Sequence, residues 1–316
     1  MRNFISINDV TDLKQLLKSA FEIKKDTYRY EHLGKHKNMC LLFFNSSLRT
    51  RISTQRAAEN LGMKTIVFNI NEDGWKIETE YGVVMDADKS EHIKEAAGVL
   101  GRYCDIIGIR SFARLIDREA DYNENVISQF VKYAGVPIVS MEAATRHPLQ
   151  SFADIITIEE YKKTERPKVV LTWAPNPKAT PQAVPNSFIE WTLAAGYDLV
   201  VTHPEGYELD KRFMNGVKVE YNQKKAFEGA DFIYAKNWSN YNDYGKVSSV
   251  DRDWTVNAEK MKLTNNAKFM HCLPVRRNMI VSDEVIDSAD SIIIDEAENR
   301  IYSAQAVLKN ILEDLK

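Results

Sequence analysis

The chain predicts an α/β protein built from two doubly wound parallel-sheet domains, and three observations lead there. Short apolar runs alternate with longer stretches whose apolar residues recur every three or four positions, the pattern of strands covered by helices on both faces. With 316 residues, 44% of them hydrophobic, there is chain enough for two cores. Polar residues suited to chemistry gather just behind the apolar runs, where open sheets of this kind bind ligands.

Taken in order, Val10, Leu13, Leu16, Leu17, Ala20 and Phe21 fall on one face of an opening amphipathic helix. Met39 to Phe44 predicts a buried strand, and Leu48, Ile52, Ala57, Ala58 and Leu61 trace the helix after it, closed by Gly62. Thr65 to Ile70 predicts a second strand. Ile93, Ala96, Ala97, Leu100 and Tyr103 trace a helix with Ser90 as its N-cap, and strands at Asp105 to Ile109 and Val136 to Met141 flank a helix near Val126 to Ala134. The second half repeats the alternation: strands at Lys168 to Trp173, Leu199 to Thr202, Phe232 to Ala235, Phe269 to Leu273 and Ser291 to Ile294, with helices at Ser187 to Ala195 and about Ser303 to Leu315. Trp173 to Pro185 is proline-rich and predicts a stiff, extended loop. The polar turn at His147 to Asp154 sets the domain boundary, giving domains 1–148 and 149–299, with a closing helix, 300–316, that joins the first.

Lysine and arginine number 42 against 45 aspartates and glutamates, a net charge of −3, so no broad basic surface for nucleic acid or membrane is implied and any anion site is local. The 3 cysteines, Cys40, Cys104 and Cys272, are odd in number and widely spaced, which argues against a disulfide framework or zinc cluster and for a reducing compartment. Met1 to Leu13 has no apolar signal core and no apolar run is long enough to span a bilayer, so a soluble, cytoplasmic protein is expected. No G-x-G-x-x-G follows the first strand and no G-x-x-x-x-G-K-[ST] occurs, against a dinucleotide-dependent dehydrogenase or a nucleotide kinase.

Where the first strand turns into its helix, at Phe44-Asn45-Ser46-Ser47-Leu48-Arg49-Thr50-Arg51, the leading N–H groups lack backbone acceptors and the helix dipole adds partial positive charge. Hydroxyls at Ser47 and Thr50 and the forked cations of Arg49 and Arg51 suit a phosphate there. A serine cap with solvent-facing arginines satisfies the same string. Behind the other strands stand Arg110, Glu142, Arg146-His147-Pro148-Leu149-Gln150, Lys236, His271-Cys272, Arg276-Arg277, Glu296 and Arg300.

Ser46-Ser47-Leu48-Arg49-Thr50-Arg51, the strand end at Arg110, His147-Pro148-Leu149-Gln150 and His271-Cys272-Leu273-Pro274, in that order, resemble the signature set of the aspartate/ornithine carbamoyltransferase family. The similarity runs through almost the whole chain, including Asp295-Glu296-Ala297-Glu298-Asn299-Arg300. Met141 to Gln150, the proline-rich loop, Ala235-Lys236-Asn237-Trp238 and the segment from His271 to Asn278 are similar to the branch acting on N-acylated ornithines, above all its N-succinylornithine type.

The resemblance implies the carbamoyltransferase fold, knotted in the second domain in relatives with this proline-rich loop. It implies transfer from carbamoyl phosphate to the δ-amine of N-succinyl-L-ornithine, giving N-succinyl-L-citrulline and phosphate in arginine biosynthesis, with no cofactor and no metal. By resemblance, Ser47, the Leu48 backbone, Arg49 and Thr50 hold phosphate, and Arg110 reaches phosphate and carbonyl oxygen. His147 and Thr50 donate to that oxygen, while Gln150, the carbonyls of Cys272 and Leu273, and Arg300 orient the carbamoyl NH2. Trp75 matches a loop that crosses into a neighbouring subunit, which implies a trimer. A thiol nucleophile at Cys272 is not required when a good leaving group meets an amine.

Asp251 to Val256 replaces the D-x-x-x-S-M-G stretch with which free-ornithine enzymes grip an α-amino group. Glu142, Lys236 and Arg276 match positions lining the acylornithine site, with Ser90 and Asn176 as further contacts. Ser90 stands where the succinyl type has proline and the acetyl type glutamate, and Asn176 where both have histidine. The alternative acceptor is therefore N-acetylornithine. A non-catalytic phosphate-binding homologue would have lost Arg49, Arg110, His147 or Gln150, all of which are present.

Overall fold

The computed structural model describes residues 1–315. Four apolar runs of the first half pair in parallel, in the order Lys64–Asn69, Asn38–Phe43, Ile106–Arg110, Ile138–Glu142. Met39 to Phe43 are at most 2% exposed, as expected for a strand that must be apolar on both faces. The second sheet is also parallel: Lys268–Met270, Phe232–Lys236, Lys168–Trp173, Asp198–Thr202, Lys218–Val219.

Contacts divide the chain into two units. One holds residues up to Arg114, Glu119–Leu149 and the chain from Arg300 onward; the other holds Leu115–Arg118 and Gln150–Asn299. The first has a core of Cys40, Leu42, Ile107, Ile109, Phe130 and their neighbours, and the second one of Val170, Ile233, Phe269, Val281 and theirs. Two helices, Pro148–Tyr161 and Ile293–Asp314, carry the chain from one unit to the other and back.

The helix after the first strand spans Arg49–Asn60 and ends as its sequence predicts, with Leu61 as C-cap and Gly62 at φ +82°, a conformation that costs glycine little. Its N-cap is Leu48, with no side-chain cap bond, so neither Ser46 nor Ser47 caps it. Ser90 is not an N-cap either: the helix is Ile93–Tyr103, and the ring of His92 accepts from the Lys94 N–H. Its Gly101 lies so close to the chain after the helix Asn125–Tyr133 that a Cβ would stand 1.7 Å from the Ala134 oxygen.

Three expectations for the second unit are corrected. The helix there starts at Ala183 rather than Ser187, so Pro185 falls in a first turn, where no backbone N–H is missed. The strand at Phe269 stops at Met270, leaving His271, Cys272 and Leu273 beyond it. Ser291 to Ile294 is no strand: Ser291 makes only a bridge with Phe269, and the final helix begins at Ile293, well before Ser303. Short apolar runs suit buried helix and buried strand equally.

The excursion after Lys64–Asn69 is closed by a short parallel pair, Ile77–Glu78 with Glu91–His92. Lys89 binds the Glu78 carboxylate at 2.8 Å and Lys76 binds Asp88. The excursion carries Trp75, 59% exposed with its Nε1 donating to Glu91 Oε2 at 2.8 Å, and the exposed Ser90, whose N–H meets the Lys76 oxygen at 3.1 Å.

Candidate active site

In the first unit Arg110 and Glu142 end their strands at the carboxyl edge of the sheet. Strand register places Phe43 beside Arg110 and Arg110 beside Glu142. A register shift decides the latter: Ile109 pairs with Ser140, so unbroken pairing would bring the apolar Met141 alongside Arg110. The extra residue re-aims the strand end so that a carboxylate meets the guanidinium. Arg110 Nε and Nη2 donate to Glu142 Oε2 at 3.2 and 2.9 Å, and Nη1 donates to the carbonyls of Ser46 and Asn45 at 3.0 and 3.3 Å. The same guanidinium lies over the Phe112 ring at 4.9 Å, and the Phe112 N–H is held by Asn45 Oδ1 at 2.8 Å. His147 Nε2 sits 3.6 Å from Glu142 Oε2 and the residue is buried.

The motif from Ser47 to Thr50 enters this edge at the N-terminus of Arg49–Asn60. Ser47 and Arg49 are half-buried and Leu48 exposed, whereas Thr50 is buried, its hydroxyl accepting from Arg300 Nη2 at 2.7 Å. Arg300 is 6% exposed, so the final helix brings a second guanidinium to the Thr50 side of the site. The unit thus holds Ser47, Leu48, Arg49, Thr50, Arg110, His147 and Arg300 of the residues the sequence assigns to carbamoyl phosphate, while Gln150, Cys272 and Leu273 belong to the other unit. Glu142, read from the sequence as an acylornithine contact, bonds Arg110 within this unit, and Lys236 and Arg276 belong to the other. The arrangement can neutralise a compact anion with guanidinium groups and helix N–H groups while offering an imidazole and a hydroxyl to a neighbouring oxygen.

In the second unit Gln150 is 1% exposed, and its Nε2 donates to Asp154 Oδ1 at 2.8 Å and Glu296 Oε1 at 3.2 Å. Glu296 Oε2 accepts from the backbone N–H of His271 at 2.9 Å. Cys272 and Leu273 follow, with Leu273–Pro274 a cis peptide. The Cys272 sulfur faces Tyr234 and the Asp154 and Glu296 carboxylates; burial pushes its thiol up to about 11, against the pull of Lys236. A thiol at that value is not the thiolate a nucleophile needs near neutral pH. Lys236 ends its strand half-buried, paired in register with Trp173. Arg276 is exposed, with its carbonyl accepting from the Ile280 N–H at 2.9 Å, while neighbouring Arg277 is engaged by Asp283 and Asp287 at 2.9 and 2.6 Å. Asn176 Oδ1 accepts from the Lys178 N–H at 3.1 Å and so shapes its own loop.

Two parts of this unit escape the sequence reading. Asp154 lies one helical turn from Gln150, and that i, i+4 spacing is the signal that could have found it. Lys260 is 6% exposed and donates to Gln223 Oε1 at 2.6 Å, to the Thr255 oxygen at 2.9 Å and to the Asp253 oxygen, so it holds the segment Asp251 to Val256 from beneath. Burial lowers its ammonium to about 8. Nothing in the local pattern marks it, because two of its partners are backbone oxygens and the third, Gln223, lies in a distant stretch. Among the described residues no group of His, Cys, Asp and Glu is arranged to hold a metal ion, and no helix is long and apolar enough to cross a membrane.

Residues 2–160 match the carbamoyl-phosphate-binding domain of aspartate/ornithine carbamoyltransferases, and residues 181–311 match the aspartate/ornithine-binding domain. The chain is 63% identical to an N-succinylornithine carbamoyltransferase of Bacteroides fragilis (strain 638R), covering 100% of both chains. It is 37% identical to an N-acetylornithine carbamoyltransferase of Xanthomonas axonopodis pv. citri, covering 98% of this chain and 96% of the other. A crystal structure of a variant N-acetyl-L-ornithine transcarbamylase, complexed with carbamyl phosphate and N-succinyl-L-norvaline, superposes with a TM-score of 0.94 at 36% identity over 98% of this chain and 100% of that one. Fold, motif order and full-length similarity therefore agree: this chain belongs to the aspartate/ornithine carbamoyltransferase family.

Proposed function

We propose that the protein transfers the carbamoyl group of carbamoyl phosphate to the δ-amine of N-succinyl-L-ornithine, forming N-succinyl-L-citrulline and phosphate in arginine biosynthesis. The observation that carries the acceptor choice is the gap between 63% identity to a succinylornithine enzyme and 37% to an acetylornithine enzyme, each across almost the full chain. Ser90 supports it. An acetyl-type glutamate at that position would repel a succinyl carboxylate, and serine removes that charge. A serine variant of an acetylornithine relative was itself solved with carbamyl phosphate and N-succinyl-L-norvaline. Asn176 serves beside Lys236 and Arg276, whose positive charges suit the succinyl carboxylate.

The chemistry asks for charge neutralisation and alignment rather than a covalent intermediate. Arg49 and the N–H groups and hydroxyls from Ser47 to Thr50 take the phosphate. Arg110 bridges phosphate and carbonyl oxygen, exchanging part of its bond to Glu142 for the substrate. As the amine attacks, the C–N bond forms, negative charge grows on the carbonyl oxygen facing Arg110, Thr50 and His147, and the C–O bond to phosphate then breaks, the departing phosphate taking the proton that the amine sheds. Gln150, the carbonyls of Cys272 and Leu273, and Arg300 set the carbamoyl plane for in-line attack. Trp75, exposed on its excursion, completes the site of a neighbouring subunit in a homotrimer, and three cysteines free of disulfides suit a cytoplasmic setting.

A colorimetric citrulline assay with N-succinyl-, N-acetyl- and free ornithine side by side tests the reading. Highest kcat/KM with the succinyl acceptor is expected. Higher kcat/KM with the acetyl acceptor replaces the substrate while keeping the chemistry, and no turnover with either acylated ornithine overturns both.

A further inference from the structure

We propose that the buried carboxylates of Asp154 and Glu296 are positioning residues that set the side-chain amide of Gln150, so that its carbonyl oxygen and not its NH2 group meets the carbamoyl NH2. The inference rests on the carbamoyl-orienting role given to Gln150 above.

The two ends of a glutamine amide are nearly equal in shape and opposite in hydrogen-bond polarity. A site that must accept from a substrate NH2 therefore needs something to forbid the flipped amide, which would set NH2 against NH2. Carboxylate oxygens accept, and two carboxyl groups face one end of this amide: Asp154 Oδ1 at 2.8 Å and Glu296 Oε1 at 3.2 Å from Nε2. With both hydrogens of Nε2 committed to the protein, the flipped amide would point a carbonyl oxygen at two carboxylates. Asp154 is 0% and Glu296 1% exposed, so that repulsion is poorly screened. Burying two carboxylates beside one another is costly, and an apolar pair would pack the same space more cheaply. A polar task explains their presence better than stability does.

The second oxygen of Glu296 accepts from the His271 N–H at 2.9 Å. That bond fixes the carboxylate and ties it to the backbone entering Cys272 and Leu273, whose carbonyls are the other acceptors for the same NH2. One buried glutamate thus keeps in register the side-chain and backbone acceptors of the carbamoyl group. Asp154, one turn along the helix Pro148–Tyr161 from Gln150, takes the other hydrogen of the same Nε2.

The test exchanges donor and acceptor between two positions. Steady-state carbamoyl transfer is measured at varied carbamoyl phosphate, with inhibition by inorganic phosphate and Tm followed in parallel, for Gln150→Ala, Gln150→Glu, Glu296→Gln and the double variant Gln150→Glu/Glu296→Gln. Glu296→Gln is expected to lower kcat/KM for carbamoyl phosphate about ten- to a hundred-fold, with phosphate inhibition, which involves no NH2, nearly unchanged. Gln150→Glu places three carboxyl groups together and is expected to fall further. In the double variant the amide introduced at 296 can still accept from the His271 N–H and now donates to the carboxylate at 150, so activity should recover at least about ten-fold over Gln150→Glu. Wild-type kcat/KM in Glu296→Gln, equal loss of phosphate inhibition, or a double variant no better than Gln150→Glu overturns the proposal. Full activity in Gln150→Ala would instead overturn the role of Gln150 itself.

Discussion

Arg110 shows how much a single residue is asked to do at the strand edge. Its guanidinium is fixed by one carboxylate, two backbone carbonyls and an aromatic face. Held so, it can trade part of its bond to Glu142 for an anion while the carbonyls and the ring keep it in place, and charge positioned in advance is the condition for electrostatic catalysis. Arg49→Ala should therefore lower kcat/KM about 10³-fold with every acceptor alike, since all acceptors share one donor. Ser90→Glu should leave carbamoyl phosphate use intact and move preference from succinyl- to acetylornithine at least about ten-fold, through repulsion of the distal carboxylate. The acceptor assay reads both outcomes, and a reversed pattern would mean that the two half-sites are wrongly divided. Cys272→Ser should keep carbamoyl transfer within about five-fold, because a thiol pushed up by burial supplies no nucleophile. Abolished turnover with a trapped carbamoyl-enzyme would contradict this. Arg49, Arg110 and His147 stand behind strands that the sequence marks, whereas Arg300 was read behind a strand at Ser291 to Ile294 that is in fact the approach to the final helix. Asp154 was passed over although its spacing from Gln150 marks it, and Lys260 was not legible because its role lies in contacts that folding creates.

Elements were legible where periodicity and punctuation agreed. Gly62 closes its helix where the sequence puts it, and the four strands of the first sheet lie within a residue or two of their apolar runs. Ser291 to Ile294 misled because an apolar triplet carries no period of its own, and only pairing with Phe269 or continuation into the final helix decides its state. Gly101 gives the element scale a direct test. Alanine is the better helix former by about 1 kcal/mol, yet its Cβ would stand 1.7 Å from the Ala134 oxygen. Displacing backbone costs more than propensity returns, so Gly101→Ala should destabilise by about 3 kcal/mol in urea unfolding. The excursion bearing Trp75 and Ser90 should be sensitive to acid. Its bond to Lys89 holds the Glu78 carboxylate down to about 2, from an ordinary 4.5. The folded value lies below the unfolded one, so the stabilisation is complete above the ordinary value and drains away as pH falls toward the depressed one. Hydrogen-exchange protection across 74–92, taken relative to the intrinsic rate at each pH, should fall over that range, and Glu78→Gln should show the lower protection already at neutral pH.

For the molecule as a whole, a ligand that binds the folded protein alone raises its stability by mass action. Carbamoyl phosphate at a hundred times its Kd should add about 2.7 kcal/mol and raise Tm by several degrees, whereas NAD and ATP should not. Unchanged Tm with carbamoyl phosphate would contradict the phosphate site. The route of the chain has a further consequence. The first unit is begun at residue 1, yet it holds Arg300 against Thr50 and Gln305 against Asn60 and the Thr27 oxygen, with Ala304, Val307 and Leu308 at most 1% exposed. During synthesis the ribosome must deliver the entire second unit before those partners arrive. The part translated first is thus the part completed last, and a chain ending at Asn299 should leave it open to protease while the second unit already resists.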